Sequence, residues 1–189
     1  KASIVTATNL FAHIQNYKSF IMDLKYLLTE DGVFVFQVPH FLKLIKNIEY
    51  DTIYHEHISY FGLKPLIKFF EGNQMELFDV IETDIDGGSI RCFVSHKGKF
   101  TKSSNIKRIL IEENNEGIYN IKRLKKFEKD VKQQKHDLNK ILKQIKQNGE
   151  KIVGVGAPAK GITLLNYCQI DKNTLEYLTE KSPLKIGKF

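Results

Sequence analysis

Residues 51–61, DTIYHEHISYF, set Tyr54, His55, Glu56 and His57 side by side. Histidine titrates near neutrality, and a neighbouring carboxylate can fix which ring nitrogen carries the proton, so a histidine beside Glu56 has the makings of a general base. Two other readings compete. His55 and His57 would share one face of a strand and could ligate a metal, but a transition metal wants a third or fourth ligand and no HxxxH or carboxylate pair nearby supplies one. Alternatively the imidazoles are satisfied by hydrogen bonds within a loop. Tyr54, Glu56 and His57 cannot all point one way from a regular strand, because neighbours alternate faces. Acid–base chemistry therefore requires an irregular loop at the end of a sheet, where catalytic residues commonly sit.

Three more stretches could do chemistry. NLFAHI carries Asn9 and His13, and by itself reads as a histidine that caps or packs against the following helix. In GVGAPAKG, Gly154, Gly156 and Gly161 follow a strand and open a helix, the setting in which backbone amides bind phosphate. The spacing is neither GxGxxG nor that of a P-loop, since Lys160 precedes the last glycine. A diphosphate contact with Lys160 as the charge and a tight turn needing glycine only for packing both remain open. GGSIR puts Ser89 and Arg91 at the start of a strand, where Arg91 either forks onto phosphate or is an exposed strand residue.

The elements that must position these residues follow from apolar spacing. ASIVTAT reads as the end of a buried strand, and NYKSFIMDLKYLL places Tyr17, Phe20, Ile21, Leu24, Leu27 and Leu28 at helical intervals. TEDG stops that helix, with Gly32 expected to take a positive φ, and VFVFQVP continues as an apolar strand closed by Pro39. LKPLIKFFEGNQM predicts a short helix ending near Gly72; ELFDVIET and SIRCFVSHKG predict an antiparallel pair about the turn DIDGG. From Ser104 to Asn148 the pattern is helical with a break near Asn114 to Gly117, and Leu124, Phe127, Val131, Leu138, Ile141, Leu142 and Ile145 mark an apolar face. KIVGVG is a short strand, APAKGITLLNYC a turn and helix, and TLEYLTEKSP begins another unit of an α/β domain.

With 189 residues, 42% hydrophobic and 27% charged, the chain has material for a folded core. No apolar run approaches the roughly 20 residues of a membrane span and no signal-peptide layout opens the chain, so a soluble cytoplasmic protein is expected. Cys92 and Cys168 form no CxxC pair and read as buried thiols. Between Ile121 and Lys146, ten Lys or Arg face three acids, Glu128, Asp130 and Asp137. Such a stripe could steer nucleic acid, but without aromatic interleaving or a base-reading motif it reads as a solvated helix face.

In order and spacing, ATNLFAHI, DGVFVFQVP, YDTIYHEHISYF, GGSIR and GAPAKGITLLNYC resemble the bacterial C-methyltransferases that act on nucleotide-linked keto-deoxysugars. These are class I S-adenosylmethionine-dependent enzymes. The resemblance covers essentially the whole chain, and YHEH together with GAPAKG is its most specific part. It implies an α/β fold: residues 1–100 as the C-terminal half of a class I methyltransferase sheet, 101–149 as a helical connection, and 150–189 as the beginning of a Rossmann-like substrate domain. The last strand of such a sheet inserts antiparallel among parallel ones.

The resemblance also implies roles. His57 would be the base, Glu56 would orient it or a substrate hydroxyl, and Tyr54 would donate to the enolate or sugar oxygen. His13 would lie near the transferred methyl, Asn9 would contact S-adenosylmethionine, and Ser89, Arg91, Gly156 and Lys160 would meet the nucleotide sugar. The family's zinc is structural and belongs to an N-terminal module with no counterpart here, so no metal is expected on this chain. The glycine-rich cofactor loop also has no counterpart, and the chain is expected to be a fragment inactive by itself. Asp86 stands where a histidine usually precedes GGS, and Thr179 to Lys181 only approximates the usual acidic–basic pair before Ser-Pro. The alternative function is a non-catalytic remnant that binds a nucleotide or a partner.

Overall fold

The computed structural model describes residues 1–187, in two compact units. One comprises Lys1–Glu49 and His55–Leu124, the other Tyr50–Tyr54 and the chain from Lys125 onward. The first unit is α/β. Strands β1 (Ala2–Thr8), β2 (Leu28–Pro39), β3 (Met75–Thr83) and β4 (Ser89–His96) form one sheet in the order β1-β2-β4-β3. β1 and β2 are parallel, and β4 runs antiparallel between β2 and β3, the insertion expected of the last strand.

Helix α1 (Tyr17–Leu27) starts where the Asn16 side chain accepts the Ser19 amide at 3.0 Å, which satisfies one of the helix's orphan donors. It buries Ile21 and Leu24, and α3 (Leu63–Gly72) buries Leu63, Leu66 and Phe70. Between these helices and the sheet lies an aromatic core about Phe11. Its ring centroid is 4.6 Å from that of Phe36, 5.1 Å from Tyr17 and 5.3 Å from Phe61. β2 is apolar from Val33 to Val38 save for Gln37 because it is an internal strand: Phe34, Phe36 and Val38 point into this core, while Val35 and Gln37 alternate to the other face.

Two details depart from the sequence reading. TEDG does not end the helix before the strand; it lies within β2, where Ala2 pairs with Leu28 and Ile4 with Val33, so residues 29–32 bulge out of register. Gly32 accordingly does not adopt a positive φ. A β-carbon there would stand 3.0 Å from both the Ala2 carbonyl oxygen and the Thr29 nitrogen, so close backbone approach is what demands glycine. The second departure is α2 (Phe41–Asn47), directly after Pro39, which buries Leu42, Leu44 and Ile45 but is too short for a periodic face to stand out.

The long helical stretch breaks near its expected position into α4 (Ser104–Glu116) and α5 (Ile121–Gln147). Gly117, at φ +68°, ends α4, and its amide bonds back to the Glu113 and Asn114 carbonyls. Just before α4, the Ser103 amide takes the Phe78 carbonyl of β3 at 2.8 Å, and Ile106 and Ile109 join the core.

In the second unit, β5 (Gly154–Val155) and β6 (Leu178–Thr179) pair in parallel across α6 (Ala159–Cys168), a βαβ step of an α/β domain. The Tyr50 hydroxyl lies 3.3 Å from Cys168 Sγ, and Lys135 Nζ donates to the Tyr167 carbonyl at 2.7 Å, placing a cation at the C-terminal end of α6. Both cysteines are free and buried. The apolar face expected along α5 is only partly covered: Val131 is its buried member, whereas Ile141 is exposed. No helix among the described residues is long and apolar enough to cross a membrane.

Candidate active site

The site forms where β1 stops. Asn9 turns the chain with φ +53°, a conformation asparagine tolerates, and its amide donates to the Gln37 carbonyl at the end of β2 at 3.1 Å. A single 3-10 turn, Phe11–His13, follows. Burial of Phe11 and Ala12 pins this turn and leaves His13 at its half-buried end.

The YHEH segment meets that turn as an irregular loop, as acid–base chemistry requires. His13 Nδ1 donates to the Glu56 carbonyl at 2.7 Å, and the Ile58 amide donates to the Ala12 carbonyl at 3.1 Å. These bonds bring the His13 and His57 rings to 5.1 Å between centroids, inclined by 55°. With Nδ1 of His13 committed as a donor, its Nε2 is the nitrogen left to meet a ligand. The Tyr17 hydroxyl donates to the Phe11 carbonyl at 2.8 Å and also bonds the Ser59 side chain; burial raises its pKa, partly offset by the Ser59 contact.

Within the tetrad, the Glu56 carboxylate lies beside His55, 4.0 Å from its Nε2, with both side chains largely exposed. It is thus the backbone carbonyl of Glu56 that holds a neighbouring imidazole of the site, that of His13. Tyr54 belongs with the second unit.

Arg91 and Asn9 make a second group, joined through Gln37. Arg91 Nη2 donates to Gln37 Oε1 at 2.9 Å, and both residues line a cavity of about 390 Å³ on one sheet face with Thr6, Thr8, Val35 and Phe93. Gln37 Nε2 is buried without a hydrogen-bond partner among the described residues. The Asn9 side chain donates to Asp86 at 3.0 Å. Ser89 is buried and its hydroxyl donates to the Ile85 carbonyl at 2.9 Å, so it braces the turn and Arg91 is the member of the pair that faces the cavity. In that turn Gly87, at φ +85°, has no room for a β-carbon beside the Glu49 carboxylate.

Gly156 and Lys160 lie in the second unit. Gly156 takes φ +81°, and its amide donates to the Thr179 carbonyl at 2.9 Å; the Ala157 amide donates to Glu180 Oε2 at 3.2 Å. A phosphate at this turn must compete with Glu180. The Glu180 carboxyl is held below the usual range, chiefly by the Ser182 and Lys181 amides.

Sequence reasoning missed a buried cluster beside the loop's exit. His40 Nε2 donates to Glu113 Oε1 at 2.8 Å, the Tyr119 hydroxyl donates to Glu113 Oε2 at 2.6 Å, and the Leu63 amide donates to Glu113 Oε1 at 2.5 Å. Burial works to raise the Glu113 carboxyl, but the bonds from His40, Tyr119 and Leu63 outweigh it and leave the pKa below the usual range. The available signal was the stripe Ile106, Ile109, Glu113, which continues a buried helical face. No group of three or more His, Cys, Asp or Glu among the described residues is placed to hold a metal ion.

A mixed sheet whose last strand inserts antiparallel, with a histidine-bearing loop at the ends of its parallel strands, fits a class I methyltransferase Rossmann-like fold; residues 1–80 match the methyltransferase domain family. Residues 84–189 match the C-methyltransferase C-terminal domain family, and the chain belongs to that family. Among curated proteins, C-methyltransferase NovU of Streptomyces niveus is 30% identical over 188 residues, which cover 99% of this chain and 45% of that protein. The chain thus spans less than half the length of this relative.

Proposed function

We propose that the protein to which this chain contributes methylates a carbon next to a ketone in a nucleotide-linked keto-deoxysugar, using S-adenosylmethionine. The observation that carries the reading is the approach of His57 to His13 at the end of β1, on a loop held there by the Glu56 carbonyl and the Ile58 amide. His57 removes the α-proton; Tyr54 donates to the forming enolate oxygen, and Glu56 orients a sugar hydroxyl or the imidazole. S-adenosylmethionine, when bound, supplies the electrophilic sulfonium methyl that the enolate carbon takes. Asn9, directly after β1, contacts the cofactor. Each unit offers a cation suited to a phosphate oxygen: Arg91 in the first, on a strand braced by Ser89, and Lys160 in the second, beside the turn that Gly156 forms. Two buried free thiols suit a reducing compartment, and we place the reaction in the cytoplasm.

The test is proton exchange at the sugar α-carbon in deuterium oxide, followed by NMR in the full-length enzyme. His57→Ala should abolish exchange and lower turnover by roughly 10² to 10⁴ while leaving cofactor affinity nearly unchanged. Undiminished exchange in folded His57→Ala enzyme would remove His57 as the base.

A further inference from the structure

α3 begins at Gly62, which has no side chain to cap the helix, and no side-chain cap is present. The first amides of the helix still need acceptors. A carboxylate from a helix distant in sequence supplies them: Glu113 of α4 accepts the Leu63 amide with Oε1 and the Lys64 amide with Oε2, at 3.3 Å. Side-chain groups of Glu113 and its partner His40 are fully buried. Such a carboxylate persists in the interior only because its lone pairs are filled, here by His40, Tyr119 and the two amides. A β-carbon at Gly62 would strike the Tyr119 hydroxyl and push it from its place on Glu113.

This cluster sits where the histidine loop rejoins the fold. His40 and Phe61 form a parallel bridge, and the Phe41 amide donates to the Phe61 carbonyl at 2.8 Å. The segment from Phe61 to Lys64 is thus gripped from the strand side by residues 40 and 41 and from the helix side by Glu113. By contrast His55, Glu56 and Ile58 are exposed and bury little that could hold them.

We propose that Glu113 is a positioning residue for the His57 loop: by acting as the cap that Gly62 cannot provide, it fixes the loop's exit and hence the placing of His57 against His13. The functional value of that placing rests on His57 being the base, but the positioning itself is measurable without any reaction. Hydrogen exchange and imidazole NMR on this chain test it, using Glu113→Ala, Glu113→Gln and Tyr119→Phe. Exchange of the Ile58 and Leu63 amides should accelerate about tenfold or more in Glu113→Ala, and less in Tyr119→Phe, beyond any change at the β2 and β4 amides. The His13 and His57 ring resonances should shift with it. Glu113→Gln, which keeps an acceptor for the Leu63 amide, should restore most of the protection. If Glu113→Ala does not fold, Tyr119→Phe against Glu113→Gln carries the comparison. Acceleration spread evenly over loop and sheet would reduce Glu113 to a stabiliser of the whole unit, and an unchanged Ile58 amide would overturn the proposal. Failure of α-carbon exchange in His57→Ala to drop would instead strike the catalytic assignment and leave this result standing.

Discussion

His13 Nδ1 reaches the backbone carbonyl of Glu56 at 2.7 Å, so an imidazole from the end of β1 is fastened to the main chain of the YHEH loop. His13 and His55 are therefore unlike in kind. His13 has one nitrogen committed to structure, while His55 stands out in solvent.

From this difference comes a ranking of variants in the full-length enzyme. His55→Ala should change turnover less than threefold. His13→Ala should slow it by roughly tenfold or more, because losing one hydrogen bond of about 1 kcal/mol frees the loop as well as removing a ring from the site. Steady-state turnover with matched thermal melts checks the order. Equal losses in His55→Ala and His57→Ala, with inhibition by a chelator, would favour a metal at the tetrad instead.

Acid should unfold the first unit in a way traceable to Glu113. Its folded pKa lies below the ordinary carboxylate range, so the unfolded chain binds more protons there. The contribution of Glu113 is fully present above the unfolded value and disappears as pH falls through the folded one. Melting temperature should be flat from neutrality down to the ordinary glutamate range and then fall. Glu113→Gln should melt lower at neutral pH by a stability loss of about 1–3 kcal/mol, and its acid limb should be shallower. Parallel limbs for the two proteins would show that other carboxylates, Glu76 and Glu82 among them, govern the acid loss.

The turn before α6 offers a third test. Glu180 competes with any anion for the Ala157 amide. Glu180→Ala should therefore bind inorganic pyrophosphate several-fold more tightly by calorimetry, and adding Lys160→Ala should remove the gain, since a charge-assisted bond is worth about 1.5–3 kcal/mol. Identical pyrophosphate affinity in wild type and Glu180→Ala would mark the turn as a packing device.

Much of the fold was legible because its signals are local. The apolar run to Thr8, the spacing from Tyr17 to Leu28 and the glycine after Glu116 each report on their own few residues. Glu113 was illegible for the opposite reason. In IEENNEG its neighbours do what glutamates on a helix usually do: Glu112 lies 3.5 Å from Lys46, and Glu116 holds Arg123 at 2.9 Å. The stripe Ile106, Ile109, Glu113 sets it on the buried face, but its partners His40, Leu63 and Tyr119 come from elsewhere in the fold, and no property of the segment names them. The apolar stripe on α5 shows the converse, a readable pattern whose burial beyond Val131 is incomplete. At the site, the loop character of YHEH followed from the alternation rule, but its attachment uses a main-chain bond to residue 12 that any sequence can make and a bond from the His13 ring to a carbonyl whose position only the fold decides.

The sheet order leaves β1 at an edge with β2 on one side and no described strand on the other, while the opposite edge is guarded where the Ser103 amide covers the Phe78 carbonyl. Ile4 on β1 is 64% exposed. An unguarded, apolar edge strand accepts any extended chain through main-chain hydrogen bonds, whatever its sequence. Self-association of this chain in concentrated samples should therefore fall on Ile4→Lys substitution, which light scattering would read.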